Sequence, residues 1–253
     1  MVPLTVIIPT KNEEKNIYDC VKSVTWCSEI IVLDMGTDQT AEIAKKLGAK
    51  VIRYPVSSSD NFIAVQKYIN ETVKSARNNW ILRLDADERV TEELKTEISR
   101  AIVNRNVAAY GIPRAQYFFD GFLTGGDWAY DRLIRLFKKG RARYSETSAV
   151  HEQFIVDGKI GYLKNKLLHF SHPDKSTLLR KFESYTNIEA DNLRESVFGA
   201  TAKMFFLPPY IFLRWMIWHH GYRDGLRGIK AGWYRAWYDF LLYKKYLKKR
   251  LKL

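Results

Sequence analysis

The sequence has only two cysteines among its 253 residues. They are Cys20 and Cys27, and no histidine lies near them in the chain. This pattern suggests neither a disulfide framework nor a zinc site, so a reducing compartment fits best. The sequence also predicts no secretory signal, because the apolar run of residues 2–9 is short, has no basic start and continues into Lys11 and Glu13. We therefore expect a cytoplasmic protein.

Long hydrophobic runs are absent as well. The longest uncharged aromatic stretch, residues 204–213, ends at Arg214. A helix that crosses a bilayer needs about 20 apolar residues, so this stretch is too short. The sequence therefore predicts no transmembrane helix here.

Acidic residues are scarce near the C-terminus. The whole chain has a formal net charge of +13, and residues 203–253 contain twelve Lys and Arg but only Asp224 and Asp239. Tryptophans and tyrosines alternate with these basic residues, as in helices that lie in the plane of an anionic membrane surface. The alternative is a helical subdomain whose aromatic side chains pack on the sheet or on a partner subunit. Nucleic-acid binding is a third interpretation, but no recognised motif supports it.

Strands and helices alternate over the first hundred residues. Predicted strands lie at 4–8, 29–33, 50–53 and 80–84, and predicted helices at 12–24, 38–47, about 60–77 and about 91–103. This order is typical of a parallel sheet with a Rossmann-like, nucleotide-binding architecture. Ligands of such sheets bind at the carboxyl edge of the strands.

The later part of the chain has a different pattern. Short β-like segments at 107–118, 133–138, 141–150 and 160–170 predict a mixed-sheet half, and helices follow at about 174–195, 197–217 and 219–248. The predicted fold class is therefore α/β with a C-terminal amphipathic helical region. We expect one domain over residues 1–172 and a helical, membrane-associated region over 173–253.

Carboxylates follow the predicted strands. Asp85 and Asp87 come directly after the fourth strand, and residues two apart in an extended segment point to the same side. Such a pair can hold a hard divalent cation that neutralises a diphosphate, although a solvated turn would have the same sequence. Asp34 and Glu13 follow two other strands, so three strand ends are expected to converge on one crevice.

Three motifs carry a resemblance to a known family. They are Val6-Ile-Ile-Pro-Thr-Lys-Asn-Glu13, Ile31-Val-Leu-Asp34 with Thr37-Asp38-Gln-Thr40, and Leu84-Asp-Ala-Asp-Glu88. Through them, residues 1–170 resemble the family 2 inverting glycosyltransferases, which have the GT-A fold. The second loop, Asp34-Met-Gly-Thr-Asp38, is one residue shorter than the usual Asp-x-Gly-Ser-Thr-Asp of that family.

The resemblance implies a nucleotide-sugar site on this chain. Pro9, Thr10 and Glu13 would line the base and ribose pocket, and Asp34 would meet the nucleobase. Asp85 would lie near the ribose and diphosphate. The resemblance also implies that Asp87 is the direct ligand of a Mg²⁺ or Mn²⁺ cofactor.

Basic residues of the second half are further candidates. Arg132 and Arg135 flank a β-like stretch, where a guanidinium could bind the donor diphosphate or an acceptor phosphate bidentately, or could simply be solvated. His169 and His172 follow the last predicted strand and could complete the metal shell. A lone histidine in a loop is more often structural, so we expect neither to bind the metal.

The second half resembles lipopolysaccharide-core glucosyltransferases within the same family. The similar segments are Arg132–Gly140, Ala142–Tyr144 and Val150-His-Glu152. An inverting transferase needs a base that takes a proton from the acceptor hydroxyl, and the resemblance makes Glu152 the candidate. A surface pair or a structural salt bridge would also explain Glu152, and Asp127 and Asp131 are the alternative bases.

These observations together predict an enzyme. We expect an inverting, metal-dependent hexosyltransferase that takes the sugar of a nucleoside diphosphate donor, most simply a UDP-sugar, to a hydroxyl of a lipid-linked glycan or lipopolysaccharide core. It would work peripherally on the anionic inner face of the cell membrane, without a nucleic-acid partner. The main alternative is a catalytically silent protein of the same fold that binds membrane or glycan. A nucleotidyltransferase is disfavoured because residues 9–13 contain no glycine to cradle phosphates.

Overall fold

The computed structural model describes residues 1–54, 62–145 and 154–251. The chain divides into two compact units. The first contains residues 1–114 and 132–169, and the second contains residues 115–131 and 170–253. The segment 115–131 thus belongs with the C-terminal helices, although it lies between two stretches of the first unit.

Parallel strands form one half of the first unit's sheet. These are β1 (Val2–Thr10), β2 (Cys27–Asp34), β3 (Lys50–Arg53) and β4 (Trp80–Arg83), in the order β3-β2-β1-β4. Val6 and Ile8 pack in one hydrophobic cluster while Ile7 packs in another. Alternate residues of β1 are thus apolar and buried on both faces, which explains its continuous β-branched sequence.

Helices cover both faces of this sheet. Three of them contribute residues to the cluster that contains Val6, and α3 (Phe62–Ser75) packs in the cluster that contains Ile7. The three are α1 (Ile17–Lys22), α2 (Thr40–Lys46) and α4 (Glu92–Ala101). The first helix is shorter than the predicted 12–24. Asn12 has a left-handed φ of 58°, residues 14–16 form a turn, and the helix ends at Lys22. Cys20 and Cys27 are buried free thiols.

Antiparallel pairing continues the sheet beyond β4. The other strands of this sheet are β5 (Glu88–Arg89), β6 (Ala109–Phe118), β7 (Gly121–Phe122), β8 (Arg132–Lys138), β11 (Ile160–Tyr162) and β12 (Leu167–His172). Strands β9 (Ala142–Tyr144) and β10 (Phe154–Val156) pair with each other in a separate two-stranded sheet. Strand β8 pairs antiparallel with β4 and β6, and β12 pairs antiparallel with β5. The predicted mixed sheet is therefore confirmed. The strand predicted over 160–170 is two strands, and β9 covers only part of 141–150, of which 146–150 lie outside the described residues.

Helices form most of the second unit. They are α5 (Lys175–Asn192), α6 (Val197–Ile217) and α7 (Gly225–Leu251). The last begins six residues later than the predicted 219, because Gly221–Asp224 form a 3₁₀ turn instead. A Cβ on Gly228 would lie 1.9 Å from the Gly221 carbonyl oxygen, so this turn packs directly on the helix that follows. Trp215 is fully buried there, in a cluster with Phe118 and Leu123.

No helix within residues 1–54, 62–145 and 154–251 is both long enough and apolar enough to cross a bilayer.

Candidate functional site

Three parallel strands end at the same edge of the first unit's sheet. Thr10, at the end of β1, lies in register with Asp34, at the end of β2. Strand β4 lies on the other side of β1, where the Leu84 N–H donates to the Ile7 carbonyl at 3.0 Å and Asp85 follows directly. The strand ends at Thr10 and Asp34, and Asp85 directly after β4, therefore lie at one edge of the sheet.

Hydrogen bonds join the loops that follow β1 and β2. The Glu13 N–H donates to Thr40 Oγ1 at 2.9 Å, and the Thr37 N–H donates to Asn12 Oδ1 at 2.9 Å. A Cβ on Gly36 would lie 2.6 Å from the Asn12 nitrogen, so the short second loop packs against the first. This contact holds the half-buried residues Pro9 and Glu13 beside the end of β2.

Asp34 is held rigidly at the base of these loops. Its side chain is only 4% exposed, Oδ1 accepts from the Gly36 N–H at 3.2 Å, and Oδ2 lies 3.6 Å from Arg53 Nε. The Thr10 hydroxyl donates to the Leu33 carbonyl at 3.1 Å. Both side chains are therefore fixed by the sheet edge before any ligand binds.

Two arginines hold the carboxylate of Asp85. Arg83 contacts both oxygens, with Nη1 to Oδ2 at 3.0 Å and Nη2 to Oδ1 at 2.9 Å. Arg135 Nη2 also donates to Oδ2. Arg135 reaches this position through a β-bulge, because the register of β8 against β6 passes from Tyr110–Leu136 to Gly111–Ile134 and skips Arg135. Bulges of this kind redirect a side chain, and here the bulged residue is buried.

Glu88 completes this charged network beneath Asp85. It is fully buried, and it accepts from the Asp85 N–H at 2.9 Å, Arg114 Nη1 at 3.2 Å and Arg135 Nη2 at 3.3 Å. Burial raises the pKa of Glu88, the Asp85 carboxylate raises it further, and the guanidinium groups of Arg114 and Arg83 lower it.

The sequence interpretation missed Glu88, Arg83 and Arg114 as members of this site. One signal was available, because Arg83 interrupts the otherwise apolar strand Trp80–Leu84. A charged residue inside a buried strand requires a partner.

Asp87 faces His169 across the pairing of β5 and β12. Its Oδ1 lies 3.4 Å from His169 Nε2, and both side chains are partly exposed. His169 Nδ1 is buried and has no hydrogen-bond partner among the described residues. A carboxylate oxygen and an imidazole nitrogen are both ligands of divalent transition metals, so this pair suits such an ion as a partial donor set. No group of three or more His, Cys, Asp or Glu with metal-binding geometry occurs within the described ranges.

Other predicted candidates lie apart from this cluster or outside the described residues. Arg132 is exposed, and its guanidinium lies 5.1 Å from the centre of the Tyr162 ring. The predicted base Glu152, with its neighbour His151, lies outside the described residues. In the second unit, His172 lies against the Trp128 ring.

The two alternative bases belong to the second unit and have partners there. Asp127 Oδ2 accepts from Arg214 Nη2 at 2.9 Å, and Asp131 Oδ2 accepts from Gln116 Nε2 at 3.0 Å. Both carboxylates therefore already take part in hydrogen bonds that support the fold of this unit.

Comparison with protein families identifies one match. The family model described as Glycosyl transferase family 2 matches residues 5–168. A lipopolysaccharide core biosynthesis glycosyltransferase, LpsC of Rhizobium meliloti, is 27% identical over 95% of this chain and 90% of its own length. An uncharacterized glycosyltransferase of Rickettsia typhi is 32% identical over 76% of this chain and 68% of its own.

Two similar solved structures have lower identity. S. aureus TarS is 17% identical, with a TM-score of 0.49 over 88% of this chain and 45% of its own. Glucosyl-3-phosphoglycerate synthase from Mycobacterium tuberculosis, in complex with Mn²⁺, UDP and glucosyl-3-phosphoglycerate, is 18% identical, with a TM-score of 0.36 over 46% of this chain and 44% of its own. The match covers less than half of either solved chain.

Proposed function

Because this chain belongs to glycosyl transferase family 2, we propose that it moves a hexose, with inversion, from a nucleoside diphosphate sugar to a hydroxyl of a lipid-linked glycan or lipopolysaccharide core. The observation that carries the proposal is the convergence of Thr10, Asp34 and Asp85 on one sheet edge, with Asp87 two residues after Asp85 and facing His169. The similarity to a lipopolysaccharide core transferase over almost the whole chain supports the class of acceptor. A UDP-sugar is the donor that we propose.

The donor would bind to fixed groups at this edge. Pro9, Thr10 and Glu13 would line the base and ribose pocket, and the rigid Asp34 would accept from the nucleobase. Asp85 keeps part of its carboxylate exposed although two arginines hold it, so it can accept from a ribose hydroxyl. Buried polar groups fixed in advance bind a ligand without a further ordering cost.

The two predicted arginines would serve the donor in different ways. Arg135 is 1% exposed and donates to Asp85, so it would position that carboxylate rather than touch the diphosphate. Arg132 is exposed and stacked on Tyr162, where its guanidinium remains available to a phosphate of the donor or acceptor. Both stay candidates for nucleotide-sugar binding, one indirectly and one directly.

Asp87 and His169 would hold a divalent cation, Mg²⁺ or Mn²⁺. The imidazole nitrogen favours Mn²⁺, because Mg²⁺ prefers oxygen ligands. When bound, such an ion neutralises the charge that develops on the departing diphosphate. His169 was expected to be structural, and its position opposite Asp87 is the reason that we include it.

The proton of the acceptor hydroxyl needs a base on this chain. We assign that role to Glu152 on the strength of the motif Val150-His-Glu152. Its carboxylate would take the proton as the hydroxyl attacks the anomeric carbon opposite the diphosphate, which gives inversion. The enzyme would do this peripherally, on the cytoplasmic side of the anionic membrane surface that holds its acceptor.

Substitution of Asp87 tests the metal assignment. We expect Asp87→Asn to weaken Mn²⁺-dependent binding of UDP, measured by calorimetry, by at least about tenfold, because it replaces a charged ligand by a neutral one. Asp157→Asn is the control, because it is the same substitution at an aspartate whose side chain is highly exposed. Equal UDP affinity in both variants would contradict the assignment of Asp87 as a metal ligand.

Substitution of Glu152 tests the base and the reaction. We expect Glu152→Gln to leave UDP binding unchanged and to reduce sugar transfer by about 10²-fold or more, the usual contribution of a general base. Full transfer in this variant would overturn the base assignment. A screen of nucleotide sugars for Mn²⁺-dependent hydrolysis separates the enzyme from a catalytically silent protein of the same fold, which would hydrolyse none of them.

A further inference from the structure

The acidic segment that begins at Asp85 forms a tight turn. The Glu88 N–H donates to the Asp85 carbonyl at 2.9 Å, so Ala86 and Asp87 are the two central residues. The segment is therefore a turn and not the extended chain expected from the sequence. Because each peptide group is planar, the direction of the Asp87 side chain depends on how the peptide groups beside it are oriented. The position of a cation bound to Asp87 depends on them as well.

The guanidinium of Arg89 bonds to three backbone carbonyl groups around this turn. Nη1 donates to the Ala86 carbonyl at 2.7 Å and to the Glu88 carbonyl at 2.8 Å, and Nη2 donates to the Asn16 carbonyl at 2.8 Å. The Ala86 carbonyl belongs to the peptide group that joins Ala86 to Asp87. Its bond to Arg89 therefore fixes the plane from which the Asp87 side chain projects.

Asn16 connects the same guanidinium to the predicted nucleotide pocket. It is the N-cap residue of α1, and its Nδ2 donates to Glu13 Oε2 at 2.8 Å. Its N–H also donates to the Glu13 carbonyl at 2.9 Å. One arginine, Arg89, thus bridges the turn that carries Asp87 and the loop that carries Glu13.

The contacts of Arg89 lie largely out of water. Its side chain is 12% exposed, and the carboxylate of the exposed Asp19 lies 3.8 Å from Nη2. The fully buried thiol of Cys20 donates to the Asp85 carbonyl at 3.4 Å. Hydrogen bonds from a charged donor are stronger where water is excluded. Helix α1 is therefore joined to the turn at two points, by Cys20 directly and by Asn16 through Arg89.

We propose that Arg89 is a positioning residue for the donor, which fixes Asp87 relative to Glu13 so that cation and nucleotide bind cooperatively. This inference rests on the proposed function, in which Asp87 binds the cation and Glu13 lines the base and ribose pocket. A nucleoside diphosphate bridges the two sites, since its base enters the pocket and its diphosphate meets the cation. A fixed spacing makes the second contact intramolecular and raises its effective concentration. A carboxylate fixed in advance also binds without the cost of ordering a loop.

The arrangement of the three carbonyl acceptors favours a guanidinium over an ammonium. Arginine presents its N–H groups in one rigid plane, so a single side chain can meet carbonyls from two segments. A lysine has the same charge, but its ammonium is a compact group on a flexible stem. Arg89→Lys therefore removes the positioning and keeps the charge, which separates geometry from electrostatics.

Calorimetric titration of UDP into the full chain tests the proposal, once with Mn²⁺ and once with EDTA. The ratio of the two affinities measures the coupling between cation and nucleotide. We expect Arg89→Lys to reduce this ratio at least about tenfold, the usual effect of losing an outer partner of a metal ligand. The affinity with EDTA should be unchanged, because Thr40 and Asn16 still hold Glu13. Arg141→Lys is the matched control, since it is the same substitution at an arginine of the first unit that is 60% exposed.

Further measurements keep the outcomes distinct. Circular dichroism checks that each variant is folded, and Arg89→Gln, which keeps two N–H donors, replaces Arg89→Lys if that variant unfolds. An unchanged ratio in the folded variant would overturn the proposal. An equal loss of affinity with Mn²⁺ and with EDTA would also overturn it, because a general structural defect lowers both. Failure of the unaltered chain to bind UDP with Mn²⁺ would instead contradict the proposed function, and this inference with it.

Discussion

At the scale of single residues, the geometry of strand β8 determines where Arg135 lies in the candidate site. The bulge in β8 places its guanidinium between Asp85 and Glu88, and Arg83 and Arg114 contact the same two carboxylates. The Asp85 carboxylate is therefore held in a fixed orientation at the sheet edge. A hydroxyl group of a bound nucleotide sugar would then donate to a carboxylate whose orientation is already set.

Removal of Glu88 should destabilise the first unit. We expect Glu88→Ala to lower the free energy of unfolding by about 3–5 kcal/mol, because Arg135, Arg114 and the Asp85 N–H lose a buried acceptor. Urea unfolding measures the change. The control is Glu92→Ala, whose side chain is 82% exposed and pairs with Lys95, and we expect a change within about 0.5 kcal/mol for it. A loss below about 1 kcal/mol in Glu88→Ala would contradict the role of the network.

At the scale of elements, helix α4 holds the strand that carries His169, a candidate metal ligand. The Glu97 carboxylate accepts from the Lys164 and Asn165 N–H groups, each at 2.8 Å, in the turn that precedes β12. Strand β12 carries His169 to its position opposite Asp87. A helix remote in sequence from residue 169 thus holds the strand that completes the candidate metal pair.

The N-terminus of α4 can be tested separately. Thr91 caps the helix, since its hydroxyl accepts from the Leu94 N–H at 3.2 Å. We expect Thr91→Ala to lower the free energy of unfolding by about 1 kcal/mol, the usual cost of a lost cap. Thr96→Ala, an exposed threonine inside the same helix, should change it by less than about 0.5 kcal/mol. Equal effects in urea unfolding would show that the cap contributes nothing specific.

At the scale of the whole molecule, the two units are interleaved along the sequence. Residues 115–131 lie between two stretches of the first unit, yet Phe118 and Leu123 pack with Leu178, Phe182 and Trp215 of the helices. The helical part is therefore more than an appendage that follows the sheet. It buries side chains of a segment that comes well before it in the chain.

Truncation should reveal this dependence. We expect a chain that ends at residue 172 to lose soluble yield and to bind a hydrophobic dye, because Phe118 and Leu123 lose the residues that cover them. A chain that ends at Leu247, the last buried residue of α7, is the control and should fold normally. A soluble chain of residues 1–172 with cooperative unfolding would show that the segment 115–131 does not need the helices.

The sequence by itself determined the alternation of strands and helices and the position of Asp34, Asp85 and Asp87 at strand ends. These features depend on local periodicity and on the rule that parallel strands end at one edge, and both can be seen in a single sequence. The helices of the C-terminal region were predicted for the same reason. The resemblance of short motifs to the family was confirmed by the match over residues 5–168.

Only the tertiary structure decided which of these groups meet. The bulge at Arg135, the burial of Glu88 and the approach of His169 to Asp87 all depend on pairing between strands far apart in the chain. The same holds for the tail, where Trp215 is buried and Trp233 is exposed although both belong to its aromatic and basic pattern. Local periodicity indicates which residues share a face of a helix, but long-range packing decides which face is covered.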